Sequence, residues 1–161
     1  MIPPAFAAEV VCLLARAAEG ATEVPPSSNA GPFTERCQRV TGNRPPDPWC
    51  ASFVAMVGVL ACGDAWPLPK TASCQALHDF AITHGVIYTT PAVGDVFLIW
   101  HPELHRFAHT GFVIGDGNLT ISGNTSGAGS REGWMVGQRV WTFTAADRFI
   151  RWTQLLPGGF P

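Results

Sequence analysis

The apolar positions change period part-way along the chain. Up to about residue 85 they recur at helical spacing or form long runs. Beyond it they come in short β-branched and aromatic stretches separated by turn residues. In "MIPPAFAAEVVCLLARAAEG", Phe6, Val10, Leu13, Leu14 and Ala17 fall on one helical face, with Glu9 and Arg16 away from it. This predicts an amphipathic N-terminal helix over residues 1–18. "ATEVPPSSNAGP" is turn-forming and leads to a second helix over about 32–41. "GNRPPDP" breaks the chain again before a run with no charge between Asp47 and Asp64. That run predicts a centrally buried helix over about 48–62, with Asp47 as N-cap and Pro48 in its first position. Ala51, Ala55 and Gly58 share a face of it, which would let it lie close against a sheet. Ser73 is placed to cap a fourth helix, "CQALHDFAITHG", ending at Gly85.

The strands expected after that point are "GDVFLIW", "HTGFVIGD", "NLTISGN", "WMVGQRVWTF" and "RFIRWTQL", with "GDGN" as a hairpin turn between two of them. Helices first and strands afterwards predict an α+β fold, an antiparallel sheet packed on helices. A length of 161 residues suits one domain over 1–161 with a real core.

Composition narrows the partners. Apolar residues make up 47% and charged residues 14%, which is the make-up of a folded chain. A net charge of -2 leaves no electrostatic footprint for nucleic acid or an anionic membrane. Apolar runs break well before the roughly 20 residues of a membrane span. The N-terminus lacks a basic n-region, has two early prolines and carries Glu9 among its apolar residues, so no signal peptide is expected. The chain would be made in the cytoplasm, and any role outside it needs a delivery route. Five cysteines, at 12, 37, 50, 62 and 74, form no CxxC pair. Cys12 and Cys62 read as small buried hydrophobes, and disulfide pairing stays open.

Cys50 is the distinctive one. A cysteine in the first turn of a helix meets free N–H groups and the positive end of the dipole, which favour thiolate. Its own backbone N–H could help to hold an oxyanion. A core cysteine on an apolar helix is the competing explanation. A nucleophile needs a base, and the base needs an orienting group. His78 and His84 lie in or near the fourth helix and read as surface or cap residues. His101, His105 and His109 stand four apart, the spacing of a metal row on a helix, but Pro102 interrupts and "HTGFVIG" is strand-like. No metal site is expected. His109, at the start of an apolar strand, fits the base, and Asn124 in "GNTSG", across the hairpin, fits the orienting group. A histidine at a strand end and an asparagine in a turn are the plainer alternatives.

In this order the segments resemble a known family. "NAGPFTERCQRVTGNRPPDPWCASFVAMV", "PAVGDVFLIW", "HTGFVIG", "TISGNTS", "REG" and "RFIRW" together are similar to the CHAP domain, a branch of the NlpC/P60-like cysteine hydrolases, over residues 19–152. The resemblance implies a papain-like fold, with the nucleophile helix packed on a C-terminal antiparallel sheet. It also implies Cys50 as nucleophile, His109 as base and Asn124 as the residue orienting it. Asn29 matches a position that would line the cleft, and Trp49 could help shape a substrate groove; Trp66, Trp100 and Trp134 could do the same or pack in the core. Many relatives carry Glu where this chain has Ser122, so Asn124 would have to orient His109 alone. Some relatives bind calcium before the nucleophile; "TGNRPPDP" offers only Asp47, and neither calcium nor any cofactor is expected.

The activity implied is cleavage of an amide bond in bacterial peptidoglycan, as an amidase or an endopeptidase acting on a stem peptide or crosslink. With no leader or wall-binding module expected, a phage virion tail, a holin or a secretion apparatus would bring it to the wall. Two other functions remain: a CHAP-like structural or tail component with weak or no activity, motivated by Ser122, and an intracellular amidase acting on small peptide conjugates.

Overall fold

The computed structural model describes residues 3–126 and 133–158. Four α-helices come first: α1 (Pro4–Ala17), α2 (Pro32–Thr41), α3 (Cys50–Cys62) and α4 (Cys74–Thr83). The described strands follow: β1 (Ile87–Tyr88), β2 (Val96–His101), β3 (Arg106–Gly115), β4 (Leu119–Thr125), β5 (Met135–Val140) and β6 (Arg148–Ile150). They form one antiparallel sheet in the order β1-β6-β2-β3-β4-β5. The protein is therefore α+β, with helices ahead of an antiparallel sheet.

α1 forms, but it buries a different face from the one its large residues suggest. Ala7, Val11, Cys12 and Ala15 are buried, while Phe6 and Leu13 are 55% and 66% exposed. Small side chains let the helix come close: a Cβ added at Gly94 would lie 2.7 Å from the Cβ of Ala8. Close packing against α3 and the loop at Gly94 thus selects the narrow stripe of small residues over the wider apolar one.

α3 is the central helix and is buried along most of its length. It begins two residues later than its sequence suggests, and Asp47 does not cap it. The Asp47 N–H closes a turn onto the Arg44 carbonyl (3.0 Å), and its carbonyl accepts from Gln38 Nε2 (2.8 Å). Trp49 is the cap residue, with no side-chain cap, and Cys50 is the first helical residue. Gly58 approaches the Trp66 ring, which itself packs on Trp152 with centroids 4.8 Å apart. The close approach to the sheet comes from the other side, at Gly123 of β4. A Cβ there would lie 2.5 Å from the Trp49 ring and 2.9 Å from the Phe53 Cβ.

The sheet alternates as a pleat requires. Val96, Leu98, Phe112, Ile121 and Ile150 join the core shared with the helices. Phe97, Ile99, Val113 and Phe149 form a second cluster with Tyr88, Trp141 and Phe143. The β3–β4 hairpin turns through Gly117 (φ 65°) and Asn118 (φ 61°), as "GDGN" predicts. "RFIRWTQL" is a strand only to Ile150; Trp152 opens a 3₁₀ turn, its Nε1 donating to the Gly94 carbonyl at 2.8 Å. Among the described residues no helix is long and apolar enough to cross a membrane.

Gly58→Ala sets two effects against each other. Helix propensity favours alanine by about 1 kcal/mol, but the added methyl would meet three indole atoms of Trp66 at 2.3–2.5 Å. Overpacking of that kind costs about 1–3 kcal/mol or more. The variant is expected to unfold at lower urea than the wild type, and a higher midpoint would show that Trp66 yields freely.

Candidate active site

The start of α3 is pinned before any chemistry is considered. Trp49 is fully buried, edge-on to Phe33 and Phe53, and its Nε1 donates to Glu23 Oε1 at 2.7 Å. Glu23 is itself 2% exposed, and its Oε2 accepts the Asn29 N–H at 2.9 Å. Trp49 therefore does not shape a substrate groove, because its indole N–H is committed to a carboxylate inside the core. The first i→i−4 bond of α3 runs from the Phe53 N–H to the Trp49 carbonyl (2.8 Å). The N–H groups of Cys50, Ala51 and Ser52 lie ahead of that ladder, at the positive end of the helix.

β3 carries His109, which is 1% exposed and stacks on Trp141 with centroids 5.8 Å apart at 24°. Its Nε2 meets Ser122 Oγ at 3.1 Å. Nδ1 is buried without a hydrogen-bond partner, which leaves it as the nitrogen available to the thiol. The register explains the Ser122 contact. Phe112 pairs with Ile121 and Val113 with Thr120, and just beyond that ladder Gly111 lies against the Ile121 carbonyl and Ser122. Ser122 is thus the diagonal neighbour of His109. Gly111 leaves the way open, since a Cβ there would lie 2.7 Å from the Ser122 Cβ. Asn124 has a left-handed backbone (φ 54°) where the β4–β5 register shifts, and it lines the cleft that holds Cys50. Asn124 was expected to orient His109 alone, but the hydroxyl of Ser122 also contacts the ring, at Nε2.

Cys74 is the site residue that sequence reasoning missed. It is the first residue of α4, and its sulfur lies 3.9 Å from that of Cys50. The signal was available, a cysteine directly after a capping serine, which is the helix-start context that singled out Cys50. The Cys50 thiol is held well below the usual thiol range. The hydrogen bond with Cys74 is the largest cause; burial opposes it, and His109 and the Ala51 N–H add to it. Cys74 is pushed well above that range by its bond to Cys50 and by burial. Cys50 is the member that ionises, because His109 acts on it. The other cysteines go the ordinary way of buried thiols: Cys37 is pushed up to about 12, and Cys12 and Cys62 also rise through burial. All five are free thiols.

The cleft has a volume of about 270 Å³ and is walled by Cys50, Cys74, Asp47, Arg106 and Asn124. A second recess of about 240 Å³ shares Pro48 and Asn124 with it and contains Asn29 and Glu23. Asn29 is thus beside the cysteine cleft; its backbone is left-handed (φ 51°) and its carbonyl accepts from Gln38 Nε2 at 3.0 Å. His101 bonds Glu103 at 2.8 Å, and His105 sits exposed in a turn, so neither joins His109. No group of three or more metal-ligating side chains occurs among the described residues. Of the "REG" segment, Arg131 and Glu132 lie outside the described residues. Comparison with protein-family models, with curated proteins and with solved structures finds no match.

Because the Cys50 pKa is lowered, its reactivity should climb and level off at lower pH than an ordinary thiol's. At pH 7, iodoacetamide is expected to label Cys50 about tenfold or more ahead of Cys37, read by peptide mass. Equal labelling of the two would contradict the assignment.

Proposed function

We propose that the protein is a CHAP-like cysteine hydrolase of papain-like fold, cutting an amide bond in bacterial peptidoglycan. The observation that carries this reading is the junction at the cleft: a thiol at a helix start, held below its usual pKa, acted on by a buried imidazole with one nitrogen uncommitted. The motif order Cys50, His109, Asn124 supplies the substrate class by resemblance. A cleft walled by one acidic and one basic side chain, Asp47 and Arg106, suits a short peptide that bears charges.

In this mechanism the Cys50 thiolate attacks the amide carbonyl, and the N–H groups at the start of α3 receive the developing oxyanion. Imidazolium His109 gives its proton to the departing amine and leaves a thioester. Neutral His109 then takes a proton from water, which attacks the thioester and expels Cys50 as thiolate, restoring the starting pair. Ser122 Oγ fixes the ring by holding Nε2. It carries no charge with which to stabilise the imidazolium.

Purified Gram-positive and Gram-negative sacculi provide the test. Wild type is expected to clear one of them, and Cys50→Ala to lose about a thousandfold or more of that rate. Product masses separate a sugar–peptide amidase from an endopeptidase. No clearance of either wall would sink the peptidoglycan reading; activity confined to soluble peptide amides would favour the intracellular amidase. Ser122→Ala removes one neutral hydrogen bond and is expected to lower kcat/KM about five- to tenfold. No change in that variant would mean that Ser122 does not orient the base.

A further inference from the structure

Two helices, not one, begin at the cleft. Cys50 opens α3 and Cys74 opens α4, and their sulfurs are 3.9 Å apart. Each residue is only 4% exposed, yet both line the cleft. The start of α4 is fixed independently, since Ser73 Oγ accepts the Ala76 N–H at 3.1 Å. Resting on the reading of Cys50 as nucleophile, we propose that Cys74 is a positioning residue of the same centre. Its S–H donates to the Cys50 sulfur and holds it as a thiolate directed into the cleft.

The pair is asymmetric, and the asymmetry decides which sulfur keeps the proton. His109 on β3 acts to lower Cys50, whereas Cys74 is raised by its bond to Cys50, by burial and by the charge of Cys50, with Arg106 on the same strand only partly offsetting them. Asp47 stands ahead of α3 on the cleft wall, and β4 contributes only the uncharged Ser122 and Asn124. A proton is therefore most easily lost from Cys50 and kept by Cys74. Through the reaction Cys74 stays protonated. It loses a charged acceptor while Cys50 is acylated and regains it when water expels the thiolate, so it favours breakdown of the thioester. A hydrogen bond to a thiolate lowers its intrinsic nucleophilicity, with a Brønsted slope of about 0.4–0.5. Below the ordinary thiol pKa the gain in thiolate population exceeds that loss.

The experiment is the pH dependence of Cys50 alkylation by iodoacetamide, followed by peptide mass, which needs no substrate. Wild type is compared with Cys74→Ala, Cys74→Val and Cys74→Ser, each checked for folding by circular dichroism. Removing the donor is expected to move the Cys50 midpoint upward by about one pH unit or more. Cys74→Ser, which keeps a donor of similar size, is expected to recover most of that shift. Alanine occupies less space and valine fills it without a donor, so one folded variant suffices for the comparison. An unchanged midpoint in either would overturn the role of Cys74 and leave Cys50 as nucleophile. An ordinary thiol midpoint in the wild type would overturn both readings.

Discussion

The hydrogen bond from the Trp49 indole to the buried carboxylate of Glu23 decides where α3 begins, and the site depends on that position. Proline and a closed turn precede the helix, and no side chain caps it, so its first residue is set by where Trp49 is anchored. The same carboxylate holds the Asn29 loop, which ties the segment ahead of α2 to the helix start. Gly123 provides the matching surface on β4, since any side chain there would push the Trp49 ring away. With Trp49 fixed, Cys50 faces β3 and the first turn of α4.

That seating places the thiol where two opposing effects meet. Burial disfavours a thiolate, by up to several pKa units for fully enclosed groups. A hydrogen bond from a neighbouring thiol, an imidazole and a helix-start N–H act against it, and together they outweigh it. Cys37 shows what burial does when none of these is present. The two residues have the same chemistry and comparable burial; their neighbours make them differ.

Much of the architecture was legible in the chain. The change of period near residue 85, the bounds of α2, the Ser73 cap and the "GDGN" turn all rest on local signals, and each appears where those signals put it. Features that depend on closeness in space were not legible. The buried face of α1 is set by how near α3, β3 and the loop at Gly94 come, not by which residues are largest. β1 is two residues long and exists only because β6 pairs with it. Cys74 is 24 residues from Cys50, and Ser122 reaches His109 diagonally across a gap left by Gly111. Trp49 looked available for a groove because its sequence neighbours are Pro48 and Cys50. Its partner, Glu23, lies 26 residues away in a loop whose composition suggested only a turn.

The central claim is that Cys50 takes the acyl group. The direct measurement is the intact mass of the protein after acid quenching during reaction with muropeptides of defined stem. A transient adduct of the acyl fragment, mapped to Cys50 and missing from Cys50→Ala, is the expected result. Continued amide cleavage by Cys50→Ala, or cleavage by the wild type with the adduct on another residue, would contradict it.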